Sequence, residues 1–210
     1  MPDGTAPTLR ERKRARTRAA IYDAAMALFA ERPYAEVTVE DICARAEVGR
    51  ATFFRFYGTK AALLLEFNRR LAERARTAVA ESGGAAPQRI RTVAGVIADA
   101  WADSGPAMRA MAFDMLHRPE TPVGGETLHP ELIDLVTEIV ADGQRGGDLR
   151  GHELGPRFVA TVVVTVLAGC VANWFDTPGI DLHAAMAHTV EFLLTGLRQR
   201  EAECGAADGC

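Results

Sequence analysis

Arg50, Thr52 and Arg55 fall within six consecutive residues, with Ala51 between the first two. A guanidinium can donate two parallel hydrogen bonds to a guanine edge, a threonine hydroxyl can bond a base or a phosphate, and an alanine permits close approach. Carried on a short helix whose first turn enters the major groove of DNA, these side chains would meet base edges and phosphates. The residues before them supply the support such a helix needs. Thr38 with Asp41 three positions on gives a capping-box start, hydroxyl to an orphan amide and carboxylate at the positive helix end. Val39, Ile42 and Ala46 then recur at helical spacing and turn one apolar stripe inward. Glu47-Val48-Gly49 breaks the pattern, and Gly49 is expected to supply a positive φ for the turn. Two short helices, a tight turn and a further helix opening at Thr59-Lys60 read as a helix-turn-helix over Thr38 to Lys60.

Other chemistries find no residues to carry them. His152-Glu153 lacks the second histidine of a zinc-protease helix, and His183 and His188 are five apart, so they do not share a helical face. There is no Gly-x-Ser-x-Gly elbow and no phosphate-binding Gly-Lys-Ser/Thr loop. His117, His129, His152, His183 and His188 read as surface or capping residues. Cys43, Cys170, Cys204 and Cys210 form no Cys-x-x-Cys pair, and no histidine stands at zinc-finger spacing from them, so reduced thiols are expected. The sequence gives no catalytic residue, no metal and no cofactor, and an enzyme is not expected.

The 210 residues are 48% hydrophobic and 25% charged, as in an ordinary folded chain, with a net charge of −4. That total hides an asymmetry. Met1 to Arg76 holds 15 Lys+Arg against 10 Asp+Glu, whereas the remainder holds 9 against 18. A basic segment attached to an acidic body attracts a polyanion to one end and repels it from the other. No uninterrupted run of about 18 apolar residues is available to cross a bilayer, and the start is Arg-rich without an apolar stretch, so a cytoplasmic protein with no membrane contact is expected.

In chain order, residues 1 to 7 precede a second capping-box pair, Thr8 and Glu11, ahead of the basic run Arg10 to Arg18, expected to touch phosphate as an arm or an early first helix. Ile21, Ala25, Leu28 and Phe29 continue at helical spacing until Arg32-Pro33-Tyr34 stops them. Thr59 can cap a long helix through Leu63, Leu64, Phe67, Leu71 and Ala75 to Gly83-Gly84. Lys60 in its first turn is opposed by the helix dipole, which a bound phosphate would relieve. Ile90, Val93, Ile97 and Trp101 mark the next helix, and Met108, Met111 and Met115 another. Arg118 to Thr127 reads as a loop, Pro130 opens a helix buried through Leu132, Val136, Ile139 and Val140, and Gly143 to Gly151 closes it. Phe158 to Phe175 is apolar on nearly every side and is expected to be buried on every side. A last helix from near Asp181 places Leu182, Met186, Val190, Leu193 and Leu197 on one face and ends in Arg198, Gln199 and Arg200. The fold expected is all-α with about nine helices: an arm and DNA-binding domain over 1–60, a larger helical domain over 61–203 and a tail over 204–210.

The segment Thr17 to Ala30, the helix-turn-helix, the aromatic run Phe53-Phe54-Arg55-Phe56-Tyr57 and the pair Thr59-Lys60 resemble the tetracycline-repressor (TetR) family of transcriptional regulators over about the first third of the chain. The sequence departs from the family pattern at Gly49, where Ser or Thr is usual, at Phe54, where a phosphate-bonding Tyr is common, and at Phe56, usually His. The resemblance implies a palindromic DNA operator held by a homodimer through the last two helices, with repression relieved by a small-molecule effector. Thr38, Arg50, Ala51, Thr52, Arg55, Tyr57 and Lys60 are the expected DNA-contacting set. An apolar effector cavity is expected between helices of residues 60 to 175, with Phe67, Trp101, Met108, Met111, Met115, Phe158 and Trp174 as its candidate lining. Asp99, Asp103 and Asp114 would favour a cationic effector if any faced inward. The competing reading is a helical small-molecule-binding protein that has lost DNA binding, which leaves Arg50, Thr52, Arg55, Lys60 and the basic arm without a purpose.

Overall fold

Thr8 and Thr38 each accept a hydrogen bond from the amide three residues on, while Glu11 and Asp41 reach back to the capping amides, so both capping boxes form. The Thr38 amide, donating to Asp41, holds that carboxyl below its ordinary range. These caps open α1 (Leu9–Glu31) and α2 (Val39–Arg45) in a computed structural model that describes residues 8–116, 129–149, 153–177 and 179–197. The order continues with α3 (Arg50–Tyr57), α4 (Leu63–Ser82), α5 (Ala86–Ala102), α6 (Pro106–Leu116), α7 (Pro130–Gly146), α8 (Pro156–Asp176) and α9 (Leu182–Leu197), with one 3-10 turn at Tyr34–Glu36. Among the described residues the fold is all-α, as the sequence indicates. The expectations for residues 1–7, His117, the loop Arg118 to Thr127, Gly151, His152, Arg198 to Arg200, Cys204 and Cys210 lie outside the described residues.

The chain divides into two compact units, one drawn from within Met1–Phe67 and Ser104–Pro122, the other from within Asn68–Asp103 and Val123–Cys210. In the first unit the basic run is the opening of α1 rather than a separate arm, and Thr8 to Arg16 are exposed. Ile21, Ala25 and Leu28 farther along α1 join Ile42 of α2 and Phe53 of α3 in the core. Arg32, ahead of Pro33, ends α1 in the extended conformation a pre-proline residue favours. Arg45 then grips Glu31 with two hydrogen bonds of 2.7 and 3.1 Å, fixing α2 against the end of α1. Tyr34 in the 3-10 turn donates its hydroxyl to Asp114 of α6 at 2.7 Å. Asp114 is thereby engaged by a phenol.

The turn between α2 and α3 is made differently from the expectation. Glu47 takes the positive φ, at 53°, whereas Gly49 is extended with φ −75° and serves as the N-cap of α3 without a side-chain bond. Bonds from Glu47 N to Ala44 O and from Val48 N to Cys43 O turn the chain early, which leaves Gly49 to enter the next helix. The positive φ that does fall on glycine comes after α3. Gly58 has φ 69° and ψ −43°, and the Thr59 amide donates to Tyr57 O at 2.7 Å across it. This tight three-residue turn is poorly accessible to side chains with a Cβ. An added Cβ at Gly58 meets nothing within 4 Å, so Gly58→Ala isolates the backbone cost. Urea unfolding should show a loss of about 1–3 kcal/mol; an unchanged midpoint would mean the turn relaxes.

In the second unit α8 packs on α7 and α9, α9 on α5, and α5 on α7. Ile90, Val93, Ile97, Val136, Ile139, Val163, Leu167, Met186, Val190 and Leu194 make its core. Paired hydrogen bonds from Arg76 to Glu138 and from Arg91 to Glu191 tie its surface together, fixing orientation more than adding stability. Three expectations change here. Gly143 lies inside α7, which ends instead at Gly147 with φ 81°. On α9 the inward residue is Leu194, with Leu193 half-buried. The all-round burial expected of α8 is absent within one chain: a third of its most apolar window is buried, and Phe158 and Val162 are 59% and 41% exposed. Within the described residues α8 is the one helix long and apolar enough to cross a membrane.

His129 precedes α7, and burial pushes its imidazole down to about 4. It therefore stays neutral when folded while the unfolded chain takes up a proton below about pH 6.5. Its contribution is complete above that pH and is lost as the pH falls toward 4, on the order of 2 kcal/mol by pH 4.5. His129→Gln should flatten this part of the stability profile, measured as melting temperature against pH; an equal slope in both proteins would assign it elsewhere.

Candidate nucleic-acid interface

α3 is an eight-residue helix with two buried aromatics, Phe53 and Tyr57, four positions apart. That spacing turns the other side, bearing Arg50, Ala51, Phe54 and Arg55, to the solvent, with Thr52 half-buried beside them. Arg50 is 63% exposed in its side chain, stands 5.8 Å over the Phe54 ring and is ion-paired with Glu40 of α2. The Arg55 guanidinium lies 5.3 Å over the Phe56 ring. Phe54 is 43% exposed, an apolar surface where a tyrosine would present a hydroxyl. Thr38 is exposed, with its hydroxyl accepting from the Asp41 amide. Arg50, Ala51, Thr52 and Arg55 thus share one accessible helix.

Tyr57 and Lys60 have other engagements. Tyr57 is buried and donates its hydroxyl to the Arg18 carbonyl at 2.9 Å, bracing α3 against α1. It faces inward because Phe53 and Tyr57 are the apolar repeat that seats α3. Lys60 donates to the carbonyls of Tyr34 and Val37 at 2.6 and 2.8 Å, and its ammonium is 3.9 Å from the Tyr34 ring centroid. These carbonyls, with the ring face, answer the question of a cation at this helix start without a phosphate. Thr59 Oγ1 accepts from the Ala62 amide, capping the turn that leads into α4. Arg18 ends the basic run and differs from its other members. Its Nε lies 2.8 Å from Oε2 of the fully buried Glu66, and its guanidinium is 5.9 Å from the Tyr57 ring centroid. An acid inside the apolar face of α4 was the available signal.

The proposed effector-lining residues fall in both units. Met108, Met111 and Met115 are buried along one face of α6 in the first, which also holds half-buried Phe67. Trp101 and Trp174 belong to the second, where both approach Phe175, at 5.2 and 5.6 Å between ring centroids. Phe175, adjacent to Trp174 in sequence, is not among the lining residues the sequence suggests. Phe158 instead opens onto a surface groove of ≈ 600 Å³ with Leu154, Val162, Phe192 and Leu193. No cluster of three or more metal-ligating side chains occurs among the described residues.

Residues 21–67 match the profile "Bacterial regulatory proteins, tetR family". No functionally curated protein matches the chain. Among solved structures, FadR from Thermus thermophilus, a TetR-family transcriptional repressor in complex with lauroyl-CoA, aligns with TM-score 0.72 and 28% identity over 90% of this chain and 100% of its own. The fatty acid degradation regulator FadR from Bacillus halodurans aligns with TM-score 0.60 and 23% identity over 88% and 97%. The TetR-family repressor QsdR from R. erythropolis gives 0.61 and 20% over 89% and 98%. The last two likenesses speak for the fold alone. The chain is therefore TetR-like in fold over the nine-tenths of its length that align, and its residues 21–67 are similar to the tetR family of bacterial regulators.

Proposed function

We propose that this protein is a cytoplasmic, homodimeric transcriptional repressor that holds a palindromic DNA operator through α3 and is released from it by a small-molecule effector. The observation that carries the reading is the accessible face of α3, where Arg50, Ala51, Thr52 and Arg55 lie together, in the unit that also holds the exposed basic opening of α1. The groove edged by Phe158 and Phe192 supports a second copy of the chain as the partner that covers α8 and α9. In a twofold dimer the same patch serves both copies, and two α3 helices can address two half-sites. Lauroyl-CoA, the ligand of the T. thermophilus protein, is the first effector to test.

The experiment is a selection of duplexes from a random-sequence library by the full-length protein, followed by anisotropy titration of the recovered sequence. Affinity should fall steeply with salt as phosphate contacts release counterions. Arg50→Ala should lose about 1–3 kcal/mol on the recovered duplex and relax the preference at one position of each half-site. Unchanged affinity and preference would remove Arg50 from the interface. Failure of the wild type to recover any sequence would favour a helical ligand-binding protein without DNA recognition. Lauroyl-CoA should weaken the wild-type complex if it binds the DNA-free form better, since only differential affinity shifts the population.

A further inference from the structure

Arg50 opens α3, and the first turn of α3 has no acidic residue. A cation there faces the positive end of the helix dipole with no local carboxylate to hold it. The carboxylate comes from the neighbouring helix, where Glu40 Oε1 pairs with Arg50 Nη1. Phe54 lies under the same guanidinium. Both members of the pair are more than half exposed, so the contact contributes little to folding. It does set where the guanidinium points before DNA arrives. The other ion pairs of this region do different work: Arg45 with Glu31 and Arg32 with Asp41 both hold α2 to the end of α1.

Resting on the DNA-reading function proposed above, we infer that Glu40 is a positioning residue for specificity, holding Arg50 for a base edge and penalising its use on phosphate. An approaching duplex offers Arg50 two routes. If the guanidinium swings to a phosphate, the Glu40 carboxylate is left uncompensated beside a polyanion. If it stays on Glu40, its remaining donors can bond guanine O6 and N7, and the second carboxylate oxygen can accept from a cytosine amino group. Every sequence permits the first route, whereas the second needs a guanine at that position. By disfavouring the first, Glu40 sets a difference of affinities rather than a high affinity.

The test uses full-length wild type, Glu40→Gln and Glu36→Gln. Glu36 is an exposed acid in the 3-10 turn, and its variant makes the same charge change outside the Arg50–Glu40 pair. The duplex recovered by the wild type from a random-sequence library and a scrambled duplex of equal length are titrated across a range of KCl. Glu40→Gln should bind the scrambled duplex more tightly and with a steeper salt dependence, and the recovered duplex no more tightly, so that the ratio of the two affinities falls about tenfold. Glu36→Gln should keep the wild-type ratio, and all three proteins should melt alike. A wild type that recovers no preferred sequence overturns the DNA-reading function and this inference with it. A wild type that recovers one, with Glu40→Gln keeping its ratio or Glu36→Gln lowering it equally, overturns the inference alone.

Discussion

Replacing both Phe158 and Phe192 by glutamate should leave a folded monomer that no longer holds operator DNA. These side chains are 59% and 78% exposed in the single chain, so the substitutions put charge where water already reaches and the core is untouched. In the proposed dimer the same positions are covered by the second copy, and twofold symmetry brings four carboxylates into one apolar interface. Each buried, unpaired charge costs several kcal/mol, more than an interface can absorb several times over. The consequence for DNA is larger than that for assembly. Two joined reading heads bind the second half-site at a high effective concentration, and separating them should weaken binding by roughly 10²–10⁴-fold. Sedimentation equilibrium, thermal melting and anisotropy on the selected duplex would be measured together. A variant that melts like the wild type and sediments as a dimer would place the interface elsewhere.

What could be read from the sequence followed from interactions that close within a few residues. The capping boxes at Thr8 and Thr38, the break at Pro33 and the accessible face of α3 depend on hydroxyls, a fixed proline φ and helical spacing, all visible locally. What escaped depends on partners distant in sequence. The carbonyls of Tyr34 and Val37 that accept from Lys60 lie more than twenty residues earlier, out of reach of any local pattern. Tyr57 closes the aromatic run of α3, and the Arg18 carbonyl that accepts from its hydroxyl lies thirty-nine residues away. The turn before α3 misled for a different reason. Glycine is the residue expected at a positive φ, yet Glu47 adopts that conformation and Gly49 does not. The nearly uniform apolar surface of α8 likewise gave its need for cover without saying whether the cover lies in the same chain or in another.

Gly143→Val should cost more stability than any exposed substitution in the second unit, because Gly143 is where two segments meet inside a helix. A Cβ at that position would lie 2.5 Å from the Ala86 Cβ and 2.9 Å from two carbons of Leu149. Leu149 can rotate its side chain, but the Ala86 Cβ is fixed to the first residue of α5, so relief there requires the helices to separate. The Leu149 amide also donates to the Gly143 carbonyl at 3.1 Å, which holds the chain after α7 in place. Two effects compete in Gly143→Ala. Helix propensity favours alanine by about 1 kcal/mol, while overpacking a well-filled site costs about 1–3 kcal/mol or more. The contact at 2.5 Å puts the second effect ahead, for a net loss of about 2 kcal/mol, and the two further carbons of Gly143→Val should raise it to about 4 kcal/mol. Ala86→Gly removes the facing Cβ, so combining it with Gly143→Ala should lose less than the sum of the two single changes. A double-mutant cycle in urea reads this coupling, expected at about 1 kcal/mol or more. Strict additivity, or a Gly143→Ala protein more stable than the wild type, would show that α5 and α7 stand farther apart in solution than this packing requires.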